Sequence, residues 1–426
     1  MLKIKLNCRV GYLALLLTIM SPAIQPVLAT GGELTLQESI ELALNNSRIV
    51  KVMESDYINA KWRLQEAKAG RYPELSYSFT GSRYKDDMVS EASNSFSNEI
   101  SLEWPLYTGG RITGLIEQAE LNLKKAELEL NKVKQQLKLN VTTAYFNLLR
   151  TKGALNLVEE SVIRVSEHLR QVQIRYKLGN AAKIDQIRVE VEMADTEQER
   201  INAKKDYEIA VAILNNLLGR PLSDPIAANQ NLTVEKLLFT LENYQRQAEM
   251  SRPEVIQAGL ALKISEKELQ ISRSEFYPSV TLKGALDNNG ENFPGNANEG
   301  WLMSITAEWK FFDSNKSRFR INRAGMEVVK AQTNFKQVRD VVRLEVYQTY
   351  LELTAAQNMI TTSQTALIKA EEEYQIARFA YEKGFETSLN VLDYQIALSQ
   401  AKSNYLNSLY EYNVSKAVLL KNAGTL

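Results

Sequence analysis

The sequence predicts a mostly α-helical chain, built as a tandem repeat, that lends four strands to a transmembrane β-barrel. Three observations carry the prediction. A displacement of 205 residues pairs the two halves of the sequence without a gap. Each half holds a proline-free helical pattern too long for any globular domain. Each half also holds two segments of about ten residues in which apolar and polar side chains alternate, the length and pattern of a tilted membrane strand.

Composition narrows the classes before any element is placed. Of 426 residues only 9 are proline and 19 glycine, the usage of long uninterrupted helices rather than a compact enzyme. Basic and acidic residues balance at 51 each, so there is no cationic excess for nucleic acid. Lys3, Lys5 and Arg9, then the apolar run LALLLTIM and a Val27-Leu28-Ala29 cleavage site, predict a secretory signal peptide over 1–29 and a mature start at Thr30. Its removal takes three positive charges and leaves a net charge of about −3. Cys8 leaves with it, and a mature chain without thiols suits an oxidising compartment such as the periplasm. Beyond residue 29 no run of eighteen apolar residues predicts a transmembrane helix.

The repeat sets the organisation. The displacement pairs Thr35-Leu36 with Thr240-Leu241, Tyr72-Pro73 with Tyr277-Pro278, Trp104 with Trp309, Tyr176 with Tyr381, Gly179 with Gly384 and Gly219 with Gly424. A first repeat over 30–219 and a second over 240–426 flank a proline-containing linker, 220–239. Each opens with an amphipathic helix, 35–71 in the first copy, where Thr35 and Glu38 have capping-box spacing. In the second copy Ser251 to Glu254 is a fresh helix start, and Pro253 predicts a break there. The helices should stop at Tyr72 and Tyr277, because a residue before proline is pushed out of the helical region.

After each Tyr-Pro the period changes from 3.6 to 2. Leu75, Tyr77 and Phe79 alternate with serines and threonine, and Phe96, Ile100, Leu102, Trp104 and Leu106 return opposite Ser97, Glu99, Ser101 and Glu103. The second copy offers Val280 and Leu282, then Met303, Ile305, Ala307, Trp309 and Phe311. Tyr77, Phe79, Leu102, Trp104, Ile305, Trp309 and Phe311 are the expected membrane-facing residues. By periodicity alone, a soluble hairpin pair packed on helices is an equal reading. Thr108 and Asp313 are the expected N-caps of the helices that follow. From about 112 to 178 there is no proline, and Leu130, Val133, Leu137, Val141, Ala144 and Leu148 form a stripe matched by Phe335, Val338, Val342, Val346, Thr349 and Leu353. Some 67 residues make a helix of roughly 100 Å, and two shorter helices of about 35 stacked end to end match its length.

Four strands cannot close a barrel, so a membrane reading requires several copies around an axis. A dimer supplies eight strands and a trimer twelve, and only the larger barrel leaves a lumen. The signal, the tandem halves, the Tyr-Pro transitions, WPLYTGGRI at 104–112, RYKLGNAAKIDQ at 175–186 and YEKGFETSLNVLDYQ at 381–395 resemble the TolC family of outer-membrane efflux proteins over essentially the whole mature chain. The resemblance implies a homotrimer with a twelve-stranded barrel in outer-membrane lipid and a periplasmic tunnel of antiparallel coiled-coil helices. It also implies docking to a periplasmic adaptor and an inner-membrane pump, for expulsion of drugs or other toxic solutes. The same architecture serves as the exit duct of one-step (type I) protein secretion, and the long helices alone would also fit a soluble periplasmic adaptor or tether.

No catalytic constellation is visible. His168, the only histidine, lies mid-helix without a Cys or second His, and reads as a solvated or inter-helix polar residue rather than a ligand or base. There is no phosphate loop and no cofactor motif. The functional candidates lie at the two glycine turns, Gly179 with Tyr176, Lys177 and Asp185, and Gly384 with Lys383, where the resemblance implies adaptor docking. Asp393 and Asn390 share a helical face, and symmetry would turn each into a ring at the narrow end of a tube. The resemblance assigns the aperture to these two, with Tyr381 helping to latch it, and expects an arginine near 386 and an aspartate at 390. Glu386 and Asn390 stand there instead.

Overall fold

The computed structural model describes residues 33–84, 93–228, 232–234, 240–292 and 298–426. The expected signal peptide lies outside the described residues, as do parts of the first hairpin loop and of the linker. The chain runs β1 (Glu33–Leu34), α1 (Leu36–Asn46), α2 (Arg48–Ala69), β2 (Glu74–Tyr84), β3 (Ser93–Tyr107), α3 (Arg111–Lys177), α4 (Lys183–Leu218) and β4 (Ala227–Ala228). The second copy follows with α5 (Leu241–Ser251), α6 (Pro253–Arg273), β5 (Ser279–Gly290), β6 (Asn298–Glu308), α7 (Lys316–Lys383) and α8 (Ser388–Asn422). Nearly every element of the second copy begins 205 residues after its counterpart.

The first helix of each copy is broken, not only that of the second. In copy two the break falls at Arg252, with Pro253 in the first turn of α6. In copy one it falls at the equivalent Ser47, whose hydroxyl accepts from Val50 N and restarts the helix. A continuous helix over 35–71 is therefore corrected to two, and the missed signal was a capping serine rather than a proline. At Thr35 the reciprocal capping box with Glu38 is present. The following helices end at Ala69 and Arg273, a few residues before the Tyr-Pro pairs, and turns carry the chain to Tyr72 and Tyr277.

The long helices hold 67 and 68 residues and the returning ones 36 and 35. They start two residues later than Thr108 and Asp313 predicted, with Gly110 and Asn315 as left-handed N-caps. Thr108 Oγ1 and Asp313 Oδ2 still accept from Ile112 N and Ser317 N, so both side chains satisfy first-turn donors from outside the helix. Leu130, Leu137, Val141, Ala144 and Leu148 bury against α1, α2 and α4, and Val342, Val346 and Leu353 form the matching core of copy two. A third core lies near the tips and draws on both copies, with Val165 and Val172 of α3, Val189 of α4, Tyr374 and Tyr381 of α7, and Val391, Leu392 and Leu398 of α8.

The strands form one antiparallel sheet in the order β2-β3-β5-β6. Its register puts Leu75, Tyr77, Leu102, Ile100, Leu282, Leu286, Ile305 and Trp301 on one face. Glu74, Ser76, Ser101, Glu103, Lys283, Ser304 and Thr306 lie on the other. Two details differ from the alternation read in the sequence. A bulge between Pro105 and Tyr107 takes Leu106 out of the pairing, so Tyr107, opposite Val280, continues the apolar face. Trp309 and Phe311 lie beyond the end of β6, exposed, because that edge strand has no neighbour to hold them in the ladder. Among the described residues no helix is long and apolar enough to cross a membrane.

Candidate functional site

The tips form where α3 turns into α4 and α7 into α8. Gly179 and Gly384 have φ of +78° and +83°, a left-handed conformation that costs a side-chain-bearing residue roughly 1–2 kcal/mol. Their neighbours close the turns, Asn180 N donating to Arg175 O and Phe385 N to Ala380 O. At each turn long side chains fold back over rings, Lys183 over Tyr176 and Lys383 over Phe379. Lys177 and Lys383 are exposed, and so are Leu178 and Phe385 between and beside them.

The two hairpins are tied together by Arg175 and Ser388, which sequence reasoning left out, together with Tyr381 and His168, which it had named. Arg175 Nη2, on α3, donates to Tyr381 O at 2.7 Å and to Glu382 O at 3.0 Å, the last-turn carbonyls of α7. Tyr381 O also accepts from the capping Gly384 N at 3.0 Å, and the negative end of the α7 dipole favours a cation beside these last-turn carbonyls. The same guanidinium stands 4.3 Å from the Tyr381 ring centroid. On the other side of the ring network His168 lies edge-on to Tyr381, with centroids 5.1 Å apart, and its Nε2 is 2.9 Å from Ser388 Oγ on α8. His168 is thus the buried inter-helix residue and not the solvated one. Burial holds its pKa down to about 4, with the Arg175 charge adding to the effect and the Ser388 hydrogen bond opposing it. Burial also pushes the Tyr381 phenol up.

The sequence-named residues divide between this core and the surface. Tyr381 is buried at its centre. Asp393 is exposed on α8, a turn beyond the half-buried Asn390. Asn390 Nδ2 donates to Glu386 Oε1 at 2.6 Å, and Thr387 N donates to the same oxygen at 2.9 Å. The departure from the family pattern therefore forms a local pair of its own, a carboxylate that caps the start of α8 beside Thr387. Asp185 does the equivalent in copy one, its Oδ2 accepting from Ala182 N at 3.2 Å. Arg175 could have been noticed as an arginine whose copy-two counterpart is Ala380, a departure from symmetry inside the tip motif. Gln395, fully buried with neither amide atom paired, carried no sequence signal, since only packing makes it unusual.

The far end of the helices meets the sheet at a joint that recurs in both copies. Trp104 Nε1 donates to Arg71 O and Trp309 Nε1 to Phe276 O, both at 3.0 Å and both pairs related by the repeat. A cavity of about 1020 Å³ opens beneath it, lined by Glu74, Glu103, Arg111, Glu308, Asp313 and Lys316 among others. This places a polar concavity on the same side of the sheet as its hydroxyl and carboxylate face. Tyr77, Phe79, Leu102, Trp104 and Ile305 share the opposite face.

Comparison with known proteins follows the same architecture. Over 390 residues the chain is 23% identical to the cation efflux system protein CusC of Escherichia coli O157:H7, covering 89% of this chain and 84% of the relative. It is 22% identical over 406 residues to the solvent efflux pump outer membrane protein SrpC of Pseudomonas putida, covering 90% and 84%. It is 19% identical over 349 residues to the outer membrane protein TolC of Vibrio cholerae, covering 80% of each. Among solved structures, a CusC crystal structure aligns with a TM-score of 0.82 at 20% identity over 91% of this chain and 92% of that one. The CmeC outer membrane channel of Campylobacter jejuni aligns with 0.81 at 16% identity over 92% and 85%. The profile of the outer membrane efflux protein family matches residues 39–220 and again 245–425, once per repeat, and the chain belongs to that family.

Proposed function

We propose that three copies of the chain form a passive duct, with a twelve-stranded barrel in the outer membrane and a helical tunnel in the periplasm. The single observation that carries this reading is the sheet. It has one apolar face, one polar face and two open edges, so it is incomplete in lipid until further copies close it. The helices continue from the sheet for roughly 100 Å, the reach of a conduit rather than a binding pocket. The sequence carries no phosphate-binding loop, and transport is driven by an inner-membrane pump reached through a periplasmic adaptor.

The tips are the proposed control point. Asp393, with Asn390, Glu386 and Tyr381 near it, is assigned to the aperture, a role supported by its being an exposed carboxylate in the second turn of α8, next to the Gly384 tip. Gly179, Gly384, Tyr176, Lys177, Asp185 and Lys383 are assigned to adaptor docking, a role supported by the exposed Leu178 and Phe385 at the turns. Small toxic solutes are the proposed cargo, in keeping with relatives named for cation and solvent efflux. The test is fractionation followed by planar-bilayer recording. The protein is expected in the outer membrane as a heat-modifiable trimer, and Asp393→Ala is expected to weaken cation selectivity. Release into a soluble periplasmic extract would remove the duct reading, and unchanged selectivity would remove Asp393 from the aperture.

A further inference from the structure

Within the chain, α3 and α8 run antiparallel and touch through polar side chains. His168 Nε2 lies 2.9 Å from Ser388 Oγ near the tip, and Ser161 Oγ lies 3.5 Å from Ser399 Oγ farther along. Beyond that, Lys402 Nζ donates to Glu160 Oε2 at 3.0 Å. Arg164 and Gln395 stand between these contacts. Arg164 is within a turn of both Ser161 and His168, and Gln395 is one turn from Ser399 and two from Ser388. Here the direct bonds stop. Gln395 is 1% exposed, and neither its Nε2 nor its Oε1 has a partner within the chain. Arg164 Nε and Nη2 are buried and unpartnered as well.

We propose that Arg164 and Gln395 form a binding site for one small monovalent anion of the chloride class, which bridges α3 to α8. A buried donor without a partner costs roughly 1–3 kcal/mol, and more when it is charged, so such groups are matched by a bound ion or water. The site lies inside a single chain, and the inference is independent of the trimeric duct.

Donor count, charge and space favour an anion over water. Three of the unmet atoms, Arg164 Nε, Arg164 Nη2 and Gln395 Nε2, are donors, and only Gln395 Oε1 accepts. The Nε–H and Nη2–H bonds of a guanidinium point the same way along one edge, a fork that grips an anion at two points. Nη1, outside that edge, is turned to Glu160 Oε2 at 3.4 Å.

Arg164 and Lys402 share the one carboxylate of Glu160, which leaves a positive charge over. Glu167, three residues on from Arg164, is exposed and forms no ion pair among the described residues. A water would leave that charge unmatched, and an anion neutralises it. The direct contacts on either side hold the helices too close for a molecular anion such as phosphate. Tyr374 of α7 packs in the same core, near enough for the Arg164 charge to act on its phenol. A water beside the anion meets Gln395 Oε1. Bound chloride then braces the two hairpins a few turns behind Tyr381.

The experiment uses the full chain in detergent at constant ionic strength, with chloride exchanged for gluconate, an anion too large for the gap. Amide exchange over residues 161–168 and 391–399 is expected to be about tenfold slower at a chloride concentration about ten times Kd. Crystals soaked in bromide are expected to show an anomalous peak within hydrogen-bonding distance of Arg164 Nε and Gln395 Nε2. Gln395→Glu, nearly equal in volume, puts a tethered carboxylate where the anion sits. It should exchange slowly in both salts and show no bromide peak. A water at this position without a bromide peak overturns the proposal, as does exchange in the parent that is the same in chloride and gluconate. A chloride effect undiminished in Gln395→Glu places the anion elsewhere and overturns it too. Each of these failures leaves the duct reading standing, because outer-membrane location and trimer formation are measured separately.

Discussion

Replacing Arg175 with alanine removes a side chain of α3 that holds the C-terminal end of α7. The loss is two hydrogen bonds to Tyr381 O and Glu382 O and a cation–π contact of 4.3 Å with Tyr381. A hydrogen bond to a charged group contributes about 1.5–3 kcal/mol when dry, and an exposed cation–π contact about 0.5–1 kcal/mol. Arg175 is half-buried and water replaces part of what it gives up, so the net tether is about 2 kcal/mol, roughly a 30-fold change in the ratio of tied to released tips. Amide hydrogen exchange reads that ratio directly. Residues 380–388 of Arg175→Ala are expected to exchange about 30-fold faster than in the parent, with the first-copy core around Leu137 and Val141 unchanged. Arg175→Lys keeps the charge but loses the planar fork, and should fall between the two. If Arg175→Ala leaves exchange at 380–388 and channel conductance where they were, the tether does not hold the tip and the reasoning is wrong.

Acid should loosen the same joint. His168 titrates near 4 in the tied tip against an ordinary value of 6.5, so the untied form takes up its proton first. Its contribution is complete above about pH 6.5, declines as pH falls towards about 4, and amounts to at most about 3 kcal/mol. Conductance recorded from pH 7 to pH 4 should rise in the parent and change less in His168→Gln. Gly384→Ala, at a φ of +83°, should lower the melting temperature of the tip by the equivalent of about 1 kcal/mol, followed by local proteolysis near the turn. Gly70→Ala, at a glycine with negative φ, should change little by the same measure. Trp309→Phe removes the bond to Phe276 O and should cost about 1 kcal/mol in resistance to heat in detergent, with Trp104→Phe matching it because the joint repeats.

Legibility in the sequence followed the range of the interaction. The repeat, the long helices and the strand faces were readable because each is written in local period, and a 67-residue pattern leaves little room for another answer. Gly179 and Gly384 were readable because a positive φ selects glycine almost alone. The break at Ser47 was less so, since a serine caps helices and also sits inside them. Trp309 and Phe311 were assigned to a strand by alternation, but alternation says only which face a residue would take if a neighbour existed.

The tip shows where local reading stops. His168, Arg175, Tyr381 and Ser388 are spread over more than 200 residues of sequence, and nothing in their spacing announces that they meet. By itself the sequence determined the tandem architecture, the element lengths, the membrane-type alternation and the two glycine turns, because these depend on steric and solvation preferences repeated residue by residue. Only the tertiary structure decided that an arginine of the first copy closes the last turn of the second copy's long helix, and that a histidine is buried beside it. Those contacts arise from how two long hairpins coil about each other, and a rotation of either helix by one residue, about 100°, would point every one of these side chains elsewhere.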